Sequence, residues 1–378
     1  MTLKNSPSKP QKQTENPLAS KELPPKLIPD IKKIVEAFYD KQAKNKGIST
    51  TKELNALQDQ LHKLLKPTIP TLEKKGYRAF EKEIKDYLRP HDINFSLVVY
   101  SRGIDQKTGE SIFQVDMLVH PIKKERRISI IPDYEDFIKT IEGFNSQNPF
   151  GKKITDEDKK KMIAYLESKI PKKSQKILEL GAPQVPSFNE YIGRGFQMGI
   201  TTHDAILLFP KQLSKMREKL KLDYAVEISN QNLQSDLENN EIAHKLFWAI
   251  IPDKEFFTQL NFGHRSYTVS QLSEAHSSVF ELKKAKDVES IMSILVAAFD
   301  IKSEAYMFTK AIFIDTLLEA IDSGELPPLK EGEPPLYYFR RILKKKENIE
   351  KFSKVTKTLE TKIDSYIIGL LSIITEEI

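Results

Sequence analysis

The chain has 378 residues, of which 39% are hydrophobic and 30% are charged, and it contains no cysteine. This composition is typical of a folded globular protein, and the length favours two domains over one. Disulfide frameworks, thiolate metal sites and cysteine nucleophiles are excluded.

Charge is distributed unevenly along the chain. Residues 1–200 contain 36 Lys and Arg against 26 Asp and Glu, a net charge of +10, whereas residues 201–378 contain 23 against 27, a net charge of −4. These values add to the overall net charge of +6. A basic half beside an acidic half indicates two bodies, of which the basic one suits a polyanion.

Residues 1–28 are predicted to form a disordered basic tail, because they contain five prolines, five lysines and few large apolar side chains. They include no apolar run typical of a signal peptide. The longest apolar runs, Ile291–Phe299 and Tyr366–Ile374, are too short to cross a bilayer. We therefore expect a cytoplasmic protein that does not bind a membrane.

Residues 29–182 are predicted to form an α+β domain. Apolar residues at helical spacing predict helices that begin near residues 30, 51 and 71. A period of two then predicts three antiparallel strands, at Ile93–Tyr100, Ile112–His120 and Arg127–Ile131, with the third stopped by Pro132. Thr155 is expected to cap a helix that follows this meander.

The rest of the chain is predicted to be helical. A Gly- and Pro-rich joint at residues 183–200 precedes an all-helical domain at residues 201–323, in which no strand is expected. A linker at residues 324–335 leads to C-terminal helices at residues 336–378. The predicted fold class is α+β and predominantly helical: helices surround a small three-stranded antiparallel sheet, and an all-helical domain follows.

Histidines and carboxylates of the second half form a candidate metal site. Four of the seven histidines fall within 74 residues, and Glu241 lies three residues before His244 on one helix face. This step resembles the Glu-x-x-His unit of ferritin-like di-metal bundles, although a second such unit is missing. The candidate ligands of a divalent metal are Glu241, His244, His264 and His276; the alternative is that these histidines have ordinary structural roles.

Two further motifs are weaker. The dipeptide His203-Asp204 resembles the paired ligands of HD-type metal phosphohydrolases, but a capping pair of Thr201 with Asp204 accounts for it equally well. Gly193, Gly195 and Gly199 differ by one residue of spacing from the dinucleotide fingerprint, and they favour a flexible loop instead. No cofactor is predicted, and a divalent metal is kept as an alternative.

Basic clusters are candidates for contacts with nucleic acid. Lys159, Lys160 and Lys161 lie in a lysine-rich stretch, and Arg340 and Arg341 follow three consecutive aromatic residues. Cations neutralise phosphates and aromatic rings stack on bases, but solvated lysine-rich faces are also common.

The C-terminal segment carries an apolar stripe. Residues 352–374 place large apolar side chains at steps of three and four, so this helix needs a partner surface in its own chain, in another protein or in a second copy. Because no coherent catalytic set is found, we expect a non-enzymatic cytoplasmic interaction or scaffold protein. The alternatives are a nucleic-acid-binding protein and a metal-dependent hydrolase.

Overall fold

The structure is a computed structural model and describes residues 25–45, 51–65, 77–104, 111–145, 148–171, 174–181, 199–202, 205–252, 258–262, 265–300 and 304–376. These residues divide between two compact units. The sheet unit contains the described residues of 15–127 and 176–212, and the helical unit contains those of 128–175 and 213–378. The predicted domain at residues 29–182 is therefore divided between the two units.

The sheet unit begins with three helices that pack beside a five-stranded sheet. They are α1 (Leu27–Lys44), α2 (Thr51–Leu65) and α3 (Tyr77–Leu88). The strands are β1 (Ile93–Ile104), β2 (Ser111–Ile128), β3 (Gln175–Leu180), β4 (Gly199–Thr201) and β5 (Ala205–Leu208). A continuous core joins Ile31 of α1, Leu61 of α2 and Phe80 of α3 to Phe95 of β1.

The α+β class is confirmed, but the predicted three-stranded antiparallel sheet is wrong in its details. The strand order is β1-β2-β3-β5-β4. Strands β1 and β2 are antiparallel, as are β4 and β5, whereas β3 and β5 are parallel. The hairpin of the first two predicted strands is present, and Phe95 lies opposite Val119. The third predicted strand, Arg127–Ile131, is absent, because β2 ends at Ile128 and a helix begins at Ile131. Pro132 lies in the first turn of that helix, where its fixed φ is favourable.

The helical unit contains the remaining helices and one hairpin. The helices are α4 (Ile131–Gly143), α5 (Asp156–Lys169), α6 (Pro210–Tyr224), which begins at the unit boundary, α7 (Asn230–Ile250), α8 (Val269–Lys284), α9 (Val288–Asp300), α10 (Met307–Asp322), α11 (Pro335–Ile342) and α12 (Lys346–Glu376). The hairpin pairs β6 (Gln259–Phe262) with β7 (Arg265–Thr268). Thr155 caps α5 in a capping box with Asp158, as predicted.

The prediction that residues 201–323 contain no strand is also wrong. Strands β5, β6 and β7 and the end of β4 lie in this range. All four residues of β5, Ala-Ile-Leu-Leu, are buried, and a strand buried on both faces shows no alternation of polar and apolar residues. This is why the period-two test did not find it.

Several boundaries of the sequence prediction fall partly outside the described residues. Of the predicted tail, residues 1–24 lie outside them, and α1 already begins at Leu27, which is buried. Of the predicted joint at 183–200, only Gly199 and Ile200 are described, and both belong to β4. The segment predicted as a linker, 324–335, is held to α11, because the Tyr338 hydroxyl donates to the Pro327 carbonyl at 2.8 Å.

Candidate functional site

Helices α7 and α8 pack closely together and carry Glu241, His244 and His276 of the predicted metal site. Ser229 caps α7 by accepting a hydrogen bond from the Asn232 amide, and Thr268 caps α8 in a capping box with Gln271. Each cap satisfies amides that the first turn of a helix leaves without partners, so both helix starts are fixed by local sequence.

Polar side chains from both helices meet along this contact. We call the following set the α7–α8 polar cluster: Asp236, Asn240, Glu241, His244, Ser273, Glu274, Ser277 and Glu281. Positions 236, 240 and 244 repeat every four residues, as do 273, 277 and 281, so each row lies on one face of its helix. These two rows are the sequence signal by which the cluster could have been found. The residues of this cluster that sequence reasoning identified as ligand types are Glu241, His244 and Glu274.

His244 links the two helices. Its Nδ1 lies 2.9 Å from the Ser273 Oγ and its Nε2 lies 3.5 Å from the Glu274 Oε2. Burial is the largest single effect on the pKa of His244 and lowers it, but the charge and hydrogen bond of Glu274 together with the charge of Glu241 outweigh burial, so the pKa is raised. His244 thus contacts one side chain of α8 through each of its two ring nitrogens.

Two acidic members of the cluster, Asp236 and Glu281, have raised pKa values. Burial, followed by the proximity of Asp236, raises the pKa of Glu281 well above its usual value. Asn240 Nδ2 donates to Glu281 Oε2 at 3.1 Å and to Ser277 Oγ at 3.2 Å. Burial raises the pKa of Asp236 to about 6. The carboxylate of Glu274 and then burial raise the pKa of Tyr306, which lies just before α10.

His276 points into a different environment on α8. Its ring lies between those of Phe247 and Phe280, at centroid distances of 5.7 and 6.2 Å. Burial lowers the pKa of His276 to about 3, so the ring is neutral. It borders a cavity of about 30 Å³ that Glu360 and Asp364 of α12 also line. Such a volume holds about one water molecule.

The predicted metal site is only partly described. Glu241 and His244 belong to the polar cluster and His276 lies beside it on α8, whereas His264 lies outside the described residues, as do His203 and Asp204. Among the residues that the structure describes, no group of three or more His, Asp or Glu side chains could hold a metal ion.

His244 contacts both Ser273 and Glu274, and these three residue types could serve as a base, a nucleophile and an orienting acid. However, Ser273 is only 2% exposed, so its hydroxyl is closed to a substrate. A nucleophile must lie where a substrate can come into contact with it. We therefore read the three residues as an internal hydrogen-bonded connection between α7 and α8.

The predicted nucleic-acid residues of α5 have different environments. Lys159 is buried, and its amine donates to the Glu142 carbonyl at 3.1 Å and to the Asn145 side chain at 3.2 Å. Lys160 is exposed. Lys161 forms an ion pair with Glu157 at 3.4 Å on the helix surface. Lys159 is therefore part of the fold and is not presented to a phosphate.

Arg340 and Arg341 of α11 also make internal contacts. Arg340 donates to the carbonyls of Tyr224 and Ala225 at the end of α6. Arg341 binds Glu333 through two nitrogens, at 2.8 and 2.6 Å, and this bidentate contact lowers the pKa of Glu333 to about 2. Three of the five predicted phosphate contacts are thus structural.

The apolar stripe of the C-terminal segment is buried in α12. Phe352, Val355, Leu359 and Ile363 are each at most 3% exposed, and α12 packs against α5, α8 and α10. The own-chain alternative therefore accounts for the stripe. The prediction that residues 352–374 bind another protein or a second copy required this stripe to be exposed, and the stripe is buried.

The sheet unit has a surface depression of about 630 Å³. It is lined by Tyr39, Lys82, Glu83, Asp86, Tyr87, Pro90 and His91. The rings of Tyr39 and His91 are stacked at a centroid distance of 3.6 Å, and the Tyr39 hydroxyl donates to the Tyr87 carbonyl. These contacts hold α1 against α3 and the turn that follows it.

A second apolar stripe, on α10, is exposed. Met307 is 54% exposed, Ile314 38% and Leu318 43%, and steps of seven and four residues return to the same helix face. The opposite face of α10 is buried through Phe308, Ile312, Phe313 and Leu317. We call Met307, Ala311, Ile314, Leu318 and Ile321 the α10 stripe.

In the part of the chain that the structure describes, every helix is too short or too polar to span a membrane. No protein-family model, no curated protein and no solved structure matches the chain.

Proposed function

We propose that this chain is a non-enzymatic interaction protein that binds another polypeptide through the α10 stripe. The observation that carries the proposal is that α10 exposes Met307, Ile314 and Leu318 on one face although its opposite face is already buried within its unit. Grouped exposed apolar side chains are typical of protein contact sites.

The reactive side chains of the helical unit support the same proposal. The His, Ser and Glu groups of the α7–α8 polar cluster contact one another, and Ser273 is buried. The cavity described beside His276 has room for about one water and none for an organic substrate. These features suit a structural connection between two helices better than a reaction centre.

Site-specific photo-crosslinking in living cells tests the proposal. A benzophenone amino acid replaces Leu318 in the α10 stripe, and the control chain carries it at exposed Lys160 of α5. We expect a discrete crosslinked polypeptide from position 318 and none from position 160. Equal labelling at both positions, or no product at position 318, would contradict the proposal.

A second measurement tests the non-enzymatic part. The purified protein is assayed for bound metal and for hydrolysis of a general phosphoester, alongside the His244→Gln variant. We expect neither metal nor turnover above background in either protein. Turnover that the variant loses while its circular dichroism spectrum is retained would establish the metal-dependent hydrolase instead.

A further inference from the structure

We infer that the surface depression between α1 and α3 binds a small organic cation, whose ammonium group lies beside Asp86 and whose apolar body packs against aromatic rings. The depression is lined by Tyr39 of α1, by residues 82, 83, 86 and 87 of α3 and by residues 90 and 91. We call it the α1–α3 depression. It lies in the sheet unit and shares no residue with the α10 stripe, so this inference goes beyond the proposed function.

The size and the walls of the depression suit a small molecule. Its volume is about 630 Å³, and small-molecule sites typically span roughly 300–1,000 Å³. Three aromatic rings and Pro90 provide the apolar wall. The rings of Tyr39 and His91 are stacked at a centroid distance of 3.6 Å, which holds both in place before a ligand arrives. A wall that is already formed lowers the cost of ordering side chains on binding.

The chain's own Lys32 shows which charge this wall stabilises. Its ammonium lies 5.5 Å from the centroid of the Tyr87 ring and 3.0 Å from the Glu83 Oε1. The hydrogen bond to Glu83 is the largest cause of a raised pKa of Lys32. An aromatic ring and a carboxylate of the depression therefore already hold one ammonium group.

Asp86 provides a second carboxylate in the same depression. It is exposed, and among the residues that the structure describes it forms no ion pair. Asp86 lies three residues after Glu83, so both carboxylates lie on one face of α3. The features that hold the Lys32 ammonium, a carboxylate beside aromatic rings, are therefore repeated at Asp86, where a cation from outside the chain can bind.

The aromatic rings decide the sign of the ligand's charge. Lys32 neutralises Glu83, which leaves Asp86 and Lys82 as lining residues of opposite charge. Lys82 is exposed, lies four residues before Asp86 and forms no ion pair with it. Ring faces carry partial negative charge, so they attract a cation and repel an anion. A cation gains from Asp86 and from the rings, whereas an anion gains from Lys82 alone.

Three probes with one carbon skeleton test the charge of the ligand. Phenethylamine is a cation at neutral pH, phenethyl alcohol is neutral and phenylacetate is an anion. Saturation-transfer NMR on the full chain measures the three affinities. We expect the amine to bind about five to ten times more tightly than the alcohol, and phenylacetate to bind more weakly than either. An amine that binds no better than the alcohol, or no better than phenylacetate, would overturn the inference.

The Asp86→Asn variant tests the location. Loss of the carboxylate should lower the affinity for phenethylamine to about that for phenethyl alcohol and leave the affinity for the alcohol unchanged. Asp86 is exposed, so we expect the circular dichroism spectrum and the thermal midpoint to be retained. Asp59→Asn is the matched control, because Asp59 is an exposed carboxylate of α2 outside the lining and should bind the amine as wild type does. Equal affinities in the two variants would place the amine elsewhere.

A lysine-containing peptide distinguishes a small molecule from a partner polypeptide. The probe is alanyl-lysyl-alanine with both ends blocked, and we expect it to bind more weakly than phenethylamine because it lacks a ring. A peptide that binds more tightly than the amine and loses that affinity in Asp86→Asn would overturn the small-molecule assignment. These results do not depend on crosslinking at Leu318, so the inference and the proposed function can fail separately.

Discussion

Asp236 is a buried acidic residue of the α7–α8 polar cluster, and its pKa is raised. Burial raises its pKa to about 6 from an ordinary value of 3.8. Between these two pH values the folded protein holds a proton that the unfolded chain has released. Asp236 therefore favours folding at low pH, and this contribution is lost as the pH rises through 6.

Asp236→Asn should remove that pH dependence. We expect the free energy of unfolding of the variant, relative to wild type, to increase by roughly 2 kcal/mol between about pH 4 and about pH 7. Urea unfolding at a series of pH values measures the difference, and comparing the two proteins at each pH cancels the other titrating groups. A difference that stays constant with pH would show that the Asp236 carboxyl does not take up a proton on folding.

The adjacent residues Lys159 and Lys160 provide a matched pair for the basic surface. Lys159→Ala removes an amine that binds Glu142 and Asn145, so we expect a loss of about 1–2 kcal/mol of unfolding free energy. Lys160→Ala changes an exposed side chain and should alter stability by less than about 0.5 kcal/mol. Thermal unfolding of the two variants measures both. Equal stability would mean that the contacts of Lys159 do not support the fold.

The sequence indicated the chemical types of these side chains but not their environments. Glu241 and His244 were correctly expected to share one helix face, and they lie together in the cluster. Nothing local distinguishes Lys159, which is buried, from exposed Lys160, because the difference arises from the loop after α4 that packs against Lys159. Arg340 likewise depends on carbonyls more than 100 residues earlier in the chain.

Gly369 lies within the 31-residue helix α12 and touches the segment between α4 and α5. A Cβ atom at this position would lie 2.6 Å from Cδ2 of Phe150 and 3.2 Å from the Asn148 Cβ. The glycine therefore allows a close approach of backbone and ring, which a larger residue would prevent.

We expect Gly369→Ala to lower the free energy of unfolding by about 1–3 kcal/mol, despite the higher helix propensity of alanine. Gly143→Ala at the end of α4 is the control, because no atom lies within 4 Å of its added Cβ. That substitution should be neutral or stabilise the protein by up to about 1 kcal/mol. Calorimetry of both variants measures the effects, and a stabilised Gly369→Ala protein would disprove the close contact.

Among the helices and strands, capping residues and apolar periodicity predicted most helices but did not predict the short strands. Apolar periodicity placed the start of α2, and the Thr155 cap placed the start of α5, where the capping side chains lie within one turn. Strand β5 has four residues and is identifiable through its pairing with β4 and with β3, the latter about 30 residues earlier. Pro132 fits both a strand end and a helix start, and the packing of α4 on α5 favours the helix.

The two units of the molecule are each assembled from separate stretches of chain. Residues 128–175 belong with residues 213–378, and strands β4 and β5 belong with residues that precede them by more than 70 positions. A domain boundary inferred from composition divides the chain into consecutive stretches. The Gly- and Pro-rich segment alone therefore could not show that the chain passes more than once between the two units.

A fragment of residues 29–182 should therefore fail to fold cooperatively. It would lack β4 and β5, leaving buried Leu178 and Leu180 of β3 uncovered, and it would separate α5 from α12. We expect poor amide dispersion in its NMR spectrum and no thermal transition by circular dichroism, in contrast to the full chain. A dispersed spectrum with a sharp transition would show that this stretch is an independent domain.

The contact of α5 with α12 has a consequence for biosynthesis. Met162 and Leu166 of α5 are covered in the finished protein, where α5 packs against a helix close to the C-terminal end of the sequence. While the ribosome is still translating the residues between these two helices, α5 lacks the packing surface that α12 provides. The nascent chain therefore exposes apolar surface of α5 early in synthesis. We expect it to depend on chaperones that bind during translation.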